Sequence, residues 1–571
     1  MDYTYKDIWR CLNQTDLKPI SPHFIRDQSK PEFTAVLQFF QSGANSKIIN
    51  LRTLGREDHS YLARNGISAA HLFRNLEKTI TGRHLDALEF QLNAVKNKAI
   101  YAICPFTGKL VESNQSLLAN IHTIFYRFQG EQVFYIITAG MGEGFRKSAL
   151  YFPDEELIVT TGDLWSFEEH DLFELKARVV CNFISCQKYL SDYNGSNRRT
   201  VVCLGVYHFA HHLWNELSGV LRLQKKKLVG KVDKFLLLRE PLGDVEQIFP
   251  EIPTEKIERK NSISAIFQHI LANNYFVVRI GGDFITRDLV NRVYRVAKKN
   301  CLRKTVDNVR NARRKHRPLL WVGIRVGSRT WSNQVDGLSN LITSLHGEFP
   351  RLGVVFDGFS LPGDKSHASS DNEEYGEILK QENEVVSDIV KKLKGRPGGT
   401  PEIINIVGSS IFDANVWAHT IDFYLSPYGT LQHKVGWLAN KPGIIHTNRT
   451  LLENPANYIW GAMESSIRPR YVGRARVADE RLMEVNEVIY REVSEARENA
   501  GILAGVKRVQ GNPEFNNYDL DWKVLYEELL DIIRAPSVTH SLSGSRFFYR
   551  AKAKLKKAVR GLTSKLDPCK I

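Results

Sequence analysis

The sequence predicts an α/β protein with two Rossmann-like, doubly wound blocks and helical extensions at both ends. Short Val/Ile-rich strands alternate with helix-length stretches, the pattern of parallel sheets covered on both faces. The alternation comes in two series. A chain of 571 residues also exceeds one ordinary core, and at roughly 100–200 residues per domain about three or four compact units are expected.

Residues 1–96 read as a mainly helical extension, with helices over 62–78 and 84–96. The first block, 97–264, and the second, 265–470, share ten candidate strands. These are 133–138, 156–160, 200–206, 234–238 and 275–280, then 319–324, 352–356, 403–407, 423–425 and 443–446. Stretches 335–346 and 377–393 have helix length. Residues 471–536 read as C-terminal helices, over 477–499 and 522–534, and 537–571 as a basic tail beyond a Ser/Thr/Gly break.

Composition excludes several classes. Hydrophobic residues make up 43% and charged ones 25%, the mix of a globular chain. No apolar run approaches the roughly 18 residues of a membrane-spanning helix. The first residues carry acids and no apolar core, so no secretory signal is read. Seven scattered cysteines point to a reducing compartment rather than a disulfide framework. The expected location is cytoplasmic, with a peripheral position on the inner membrane face left open.

Of the net charge of +15, eight positive charges without an acid fall in 545–565, and the remaining +7 reads as spread along the chain. In that tail Phe547, Phe548, Ala551, Leu555, Ala558, Val559 and Leu562 recur at helical spacing. A cationic amphipathic helix of this kind lies in the interface of an anionic bilayer. A solvated helix or a nucleic-acid contact is the alternative for the tail. With no recognition motif in the core, nucleic acid is not expected as a partner.

The richest stretch for chemistry runs from Asp413 to Thr447, centred on Ser426-Pro427-Tyr428-Gly429-Thr430-Leu431-Gln432-His433-Lys434. It reads as strand, tight glycine turn, helix, then a Lys-Pro stop before another strand. The first N–H groups of such a helix bind an anion, and Thr430 adds a hydroxyl donor. The order Gly408-Ser409-Ser410, Ala418-His419, Asp422, Ser426–Thr430 and Leu438-Ala439-Asn440-Lys441-Pro442 resembles the C-terminal half of GT-B glycosyltransferases over residues 319–450. The resemblance implies two domains facing a cleft, with Gly429 and Thr430 against a donor diphosphate. Ser426 and His433 fall in the same donor-binding run.

A second stretch, Tyr207-His208-Phe209-Ala210-His211-His212-Leu213-Trp214-Asn215-Glu216, follows strand 200–206. It lies at the carboxyl end of a strand, where ligands bind in open α/β sheets. Imidazole titrates near neutrality and suits a general base. His208 and His212, and His212 and Glu216, are four apart and can share a helix face. Packing, capping and metal binding are the other readings, although no further ligand is evident. This stretch resembles the Asn-Phe-Gly-His-type turn of family-61 glycosyltransferases, with His208 at the place of the Asn. The resemblance carries His211 over as a site residue.

The loop after strand 319–324 holds Arg325 and Arg329, which can offset a leaving phosphate without a metal if they face the cleft. Surface arginines beside a turn are the alternative. Gly140-Met141-Gly142-Glu143-Gly144 has neither the spacing nor the helix of a phosphate loop and reads as a flexible turn, with lining of the acceptor side as the alternative. Asp357 and Asp364, near the end of strand 352–356, are candidates for a ribose or base contact, and Asp283, after strand 275–280, is a spare carboxylate. Asp519-Leu520-Asp521 precedes a helix, so the metal-holding triplet of the other main glycosyltransferase fold is missing from its place.

The combined expectation is transfer of a sugar from a nucleotide-sugar donor to a polysaccharide or glycolipid acceptor, without a bound cofactor or metal. His211 is the expected base, and Glu216 orients it or substitutes for it. Arg325, Arg329, Ser426, Gly429, Thr430 and His433 take the donor, with His208, His212 and Asp283 auxiliary or on the acceptor side. The rivals are a pyruvyl transferase of GT-B-like fold and a non-catalytic membrane-docked scaffold or glycan-binding protein.

Overall fold

The computed structural model describes residues 4–15, 17, 32–82, 84–162, 167–192, 198–363, 375–396, 399–454, 462–464, 467–480 and 511–534. The basic tail, Asp364 and the stretch 481–499 lie outside them.

The described residues up to 97 are mainly helical as read, but the strands that follow them do not form a parallel block. Helices such as Arg56–Arg64, Ala69–Ile80 and Glu89–Asn97 surround a strand, β1 (Lys47–Asn50), and a small hairpin of β2 (Ile100–Ile103) and β3 (Leu110–Ser113). The helix expected over 62–78 is two helices. Gly66, at φ +68°, turns the chain, and Ser68 caps the second helix by accepting from the His71 amide.

Next come β4 (Ser116–Leu118), β5 (Ile124–Gln129), β6 (Val133–Ala139), β7 (Arg146–Phe152) and β8 (Leu157–Thr160). They form one six-stranded sheet in the order β1-β8-β7-β6-β5-β4, antiparallel except where β1 meets β8. The strands at 133–138 and 156–160 therefore do not belong to a parallel sheet. All seven residues of β6 are buried, so its sequence lacks the in–out alternation that marks an antiparallel strand with one wet face.

Two parallel sheets follow. The first holds β9 (Arg199–Leu204), β10 (Lys234–Leu237), β11 (Ile257–Arg259) and β12 (Tyr275–Arg279), in the order β11-β10-β9-β12. Since β12 pairs with β9, this sheet runs past the boundary expected at 264. The second holds β13 (Leu319–Gly323), β14 (Gly353–Asp357), β15 (Glu402–Asn405), β16 (Phe423–Pro427), β17 (Gly443–His446) and β18 (Arg470–Tyr471), in the order β15-β14-β13-β16-β17-β18. Both orders begin 3-2-1-4, and the second completes the doubly wound 3-2-1-4-5-6 pattern. The architecture is two Rossmann-like domains that meet along a seam, with an antiparallel unit packed on the first.

The antiparallel unit is fixed to the first Rossmann sheet by Gln91. Its Nε2 donates to the Gly144 and Phe145 carbonyls at 2.7 and 2.9 Å, and its Oε1 accepts from the Gly281 amide at 2.8 Å. A Cβ on Gly281 would stand 1.9 Å from the Gly144 carbonyl oxygen, so the two backbones meet only because side chains are absent.

Five helices position the cleft. α1 (residues 209–225) follows β9. α2 (Arg287–Asn300) and α3 (Arg303–Lys315) connect the two Rossmann sheets. α4 (Ile411–Thr420) follows β15, and α5 (residues 430–438) follows β16. At the C-terminal end, the helix expected from Val477 begins instead as β19 (Val477–Glu480), paired antiparallel with β20 (Asn517–Leu520). Trp522–Arg534 is helical as read and packs on the second core.

Candidate active site

A doubly wound sheet opens a crevice where its strand order reverses. Here the reversals lie between β9 and β12, and between β13 and β16. The loops at those carboxyl ends are 205–208 and 280–283 in the first sheet, and 324–329 and 428–429 in the second. The expected site residues on α1, α5 and the β13 loop fall at or beside them.

α1 and α5 face each other across the seam, and each contains a π-helical segment, His212–Leu217 and Lys434–Leu438. Such segments insert an extra residue into a helical turn and concentrate at functional sites. Thr430 Oγ1 of α5 lies 3.3 Å from His208 Nδ1, directly before α1. A chain of rings continues the contact. His208 and His211 lie 6.0 Å apart, His211 and Trp214 5.9 Å, Trp214 and Trp437 5.5 Å, and Trp437 and His433 3.6 Å.

His211 is half-buried, and its Nδ1 lies 2.9 Å from Asn215 Oδ1. The Asn215 amide nitrogen donates to the Gly282 carbonyl at 3.0 Å, which turns its oxygen toward His211. That assigns the proton to Nδ1 and the lone pair to Nε2, the tautomer of a general base. Trp214 Nε1 donates to the Asp283 backbone carbonyl at 2.8 Å, so Asp283 meets α1 through its main chain. The Gly140–Gly144 turn lies beside this helix: a Cβ on Gly142 would be 3.8 Å from His211 Cε1.

Glu216 is not an alternative base, and it does not orient His211. It is fully buried, with Oε1 accepting from the Gly205 amide and Arg279, and Oε2 from the Val206 amide and His212 Nδ1, at 2.6–3.1 Å. Burial by itself would raise its pKa, but the Arg279 charge, the His212 bond and the Gly205 amide together bring it to about 2. Glu216 is an anchor that ties the β9 loop to β12 and to the π segment. His212 is buried with it.

At the start of α5, Gly429 has φ +119°, and a Cβ there would come 3.4 Å from Arg325 Nη1. The guanidinium therefore lies against the glycine turn where α5 begins. Arg325 Nε donates to the Ser328 carbonyl at 2.6 Å, fixing the fork. Burial, and then the neighbouring Arg329, lower the Arg325 pKa to about 9, which leaves it charged at neutral pH. Arg329 stacks over Phe515 at 4.9 Å.

Two expected donor contacts are not available for that role. Ser426 is fully buried in β16, with its hydroxyl donating to the Pro427 carbonyl at 3.2 Å, because its side chain points across the sheet toward Gly323. His433 is buried against Trp437. Burial, and then the charges of His211 and His208, push its pKa well below the ordinary imidazole value, so it is neutral and offers an anion no charge.

Glu382 has no counterpart in the sequence reading, and Lys434 ends the run 426–434 without an assigned role there. Lys434 is buried, and its Nζ donates to both Asp357 oxygens, the Gly358 carbonyl and Ser360 Oγ at 2.7–2.9 Å. Asp357 is thus a structural partner rather than a ribose contact. Burial raises its pKa to about 6 against the pull of Lys434. Glu382 accepts from the Phe359 amide at 2.6 Å, and burial pushes its pKa to about 8. Asp357 ends β14 and Glu382 sits on the helix Gly376–Lys394, and residues tens of positions apart in sequence leave no local signal of such a cluster.

No protein-family model matches the chain, and no curated protein matches it by sequence. Among solved structures it is similar to a glycosyl transferase of family 9 from Veillonella parvula, at 11% identity and TM-score 0.28, over 58% of this chain and 98% of that one. It is also similar to the ADP-heptose lipopolysaccharide heptosyltransferase II of E. coli, at 11% identity and TM-score 0.27, over 54% and 99%. An α,α-trehalose 6-phosphate synthase from Burkholderia multivorans matches at 12% identity and TM-score 0.25, over 67% and 84%.

Proposed function

We propose that the chain is a glycosyltransferase that moves a sugar from a nucleotide-sugar donor to a hydroxyl of a polysaccharide or glycolipid acceptor. One observation carries the reading. The start of α5, with Gly429, Thr430 and the Arg325 guanidinium, meets the base-bearing start of α1 across a seam between two switch points. A diphosphate fits the first group, because helix N–H groups, a hydroxyl and a charged fork all donate to phosphate oxygens. A hydroxyl nucleophile fits the second.

In this reading His211 Nε2 takes the acceptor proton as the hydroxyl oxygen bonds to the anomeric carbon. The bond from that carbon to the diphosphate breaks, and the departing charge is received by Arg325 and the first turn of α5. Attack from the face opposite the leaving group inverts the anomeric centre. Charge neutralisation is assigned to the protein's own donors rather than to a metal ion.

The test is a binding screen against UDP, GDP, CMP, dTDP and ADP with their sugar conjugates. One nucleotide family is expected to stabilise the protein selectively. Arg325→Ala should weaken that binding by on the order of tenfold to a hundredfold, the worth of a charged hydrogen bond, and Thr430→Ala by less. A folded protein that binds none of them would overturn the reading.

A further inference from the structure

The charge left after the tail is subtracted is not spread along the chain. Residues 287–317 hold twelve Lys and Arg against Asp288 and Asp307, a net +10. With +8 in the tail, the rest of the protein carries +15 − 10 − 8 = −3. The excess forms two centres, and one of them is α2 and α3.

These helices follow one another through the turn at residues 301–302, both pack on α4, and both are exposed on their outer sides. Along α2, residues 287, 291, 295, 298 and 299 face solvent, while Leu289, Val293 and Val296 are buried. In α3 only Thr305 and Ala312 are buried. Among the described residues Lys299, Arg303, Lys304 and Arg314 make no ion pair, so a cluster of like charges is left for an external counterion. The turn between the helices presents Leu302 at 64% exposure, and the first turn of α3 presents Val306 at 37%. Beside it a groove of about 630 Å³, lined in part by Leu302, Lys304, Thr305 and Phe412, is open to a small charged group.

We propose that α2 and α3 form a docking surface for an anionic lipid bilayer. Basic side chains on two adjoining helices match the negative potential of such a surface. Leu302 and Val306 at the tip match its acyl boundary; a nucleic-acid backbone would leave them in water. The surface lies on the interdomain seam. Arg292 of α2 pairs with Glu251 of the first domain at 2.8 Å, while Tyr294 stacks on His419 of α4 at 3.7 Å. Docking here holds the seam, and with it the proposed transfer site, beside the membrane without using a residue of that site.

The experiment uses the full chain and vesicles of phosphatidylcholine with and without about one third phosphatidylglycerol, read by flotation across a salt series. Lys299, Arg303, Lys304 and Arg314 are changed together to Gln, both in the native chain and in one whose Lys552, Lys554, Lys556 and Lys557 are Gln. At roughly fivefold per basic side chain, the four helix substitutions should lower partition into anionic vesicles by on the order of a hundredfold or more in either background. The melting temperature and nucleotide binding should stay unchanged. Leu302→Ser should lower partition while leaving the salt dependence intact. Equal partition with and without the helix charges overturns the proposal. So does salt-sensitive binding of duplex RNA through the same four residues with no vesicle binding.

Discussion

Asn215 and Glu216 are neighbours in sequence with separate tasks. Asn215 sets the tautomer of His211, and Glu216 supports the loop under it. His211→Ala should lower kcat by roughly a hundredfold to ten-thousandfold and remove the acidic limb of the kcat/KM profile. An unchanged rate would sink the assignment. Glu216→Gln leaves the Arg279 charge buried without its partner, at a cost of about 3–5 kcal/mol, measurable by denaturant unfolding. The folded pKa of Glu216 is about 2 against an ordinary 4.5. Its stabilisation is therefore complete above pH 4.5 and is lost as pH falls toward 2. Glu382 runs the other way. With a folded pKa of about 8, its contribution is full below pH 4.5 and is lost as pH rises toward 8. Gln cannot ionise, so Glu382→Gln should melt above the wild type at pH 8, with the gap closing toward pH 5.

At the scale of elements, α1 and α5 repeat one device. Each follows the fourth-or-first strand of a switch point, enters a π segment, and uses that segment to bury a charged residue that grips a strand-end loop. Glu216 holds the amides of Gly205 and Val206, and Lys434 holds Asp357, the Gly358 carbonyl and Ser360. The helix starts are left to meet each other at the seam. The glycine contact between the antiparallel unit and the first sheet is equally specific. Gly281→Ala forces a Cβ into the Gly144 backbone, which no rotamer relieves, and should cost about 3 kcal/mol or more. A melting curve showing less than a degree of change would mean the two backbones can separate freely.

Across the whole molecule, the second Rossmann domain was legible because its strands are short continuous apolar runs, and β13, β14, β16 and β17 are buried along their entire length. The same property misled the reading of the first half: β6, equally buried, belongs to an antiparallel sheet. The placement of His211, Gly429, Thr430 and Arg325 at or beside strand-end loops was legible because such loops announce themselves by a turn residue and a following helix. Ser426 was assigned one residue too generously, since it still belongs to the strand and faces Gly323. The Lys434–Asp357 pair left no trace because its members are far apart in sequence. The α2–α3 charge was present in the composition but was averaged over the chain.

Trp214 and Trp437 come from different domains, yet their ring centroids are 5.5 Å apart with planes inclined at 57°. Two indoles that close and skewed share their electronic excitation and give a paired positive and negative band in circular dichroism. The protein thus carries its own gauge of domain separation. Ligands that draw the domains apart will collapse the pair of bands while the helical signal stays, and Trp437→Phe will erase it at the outset.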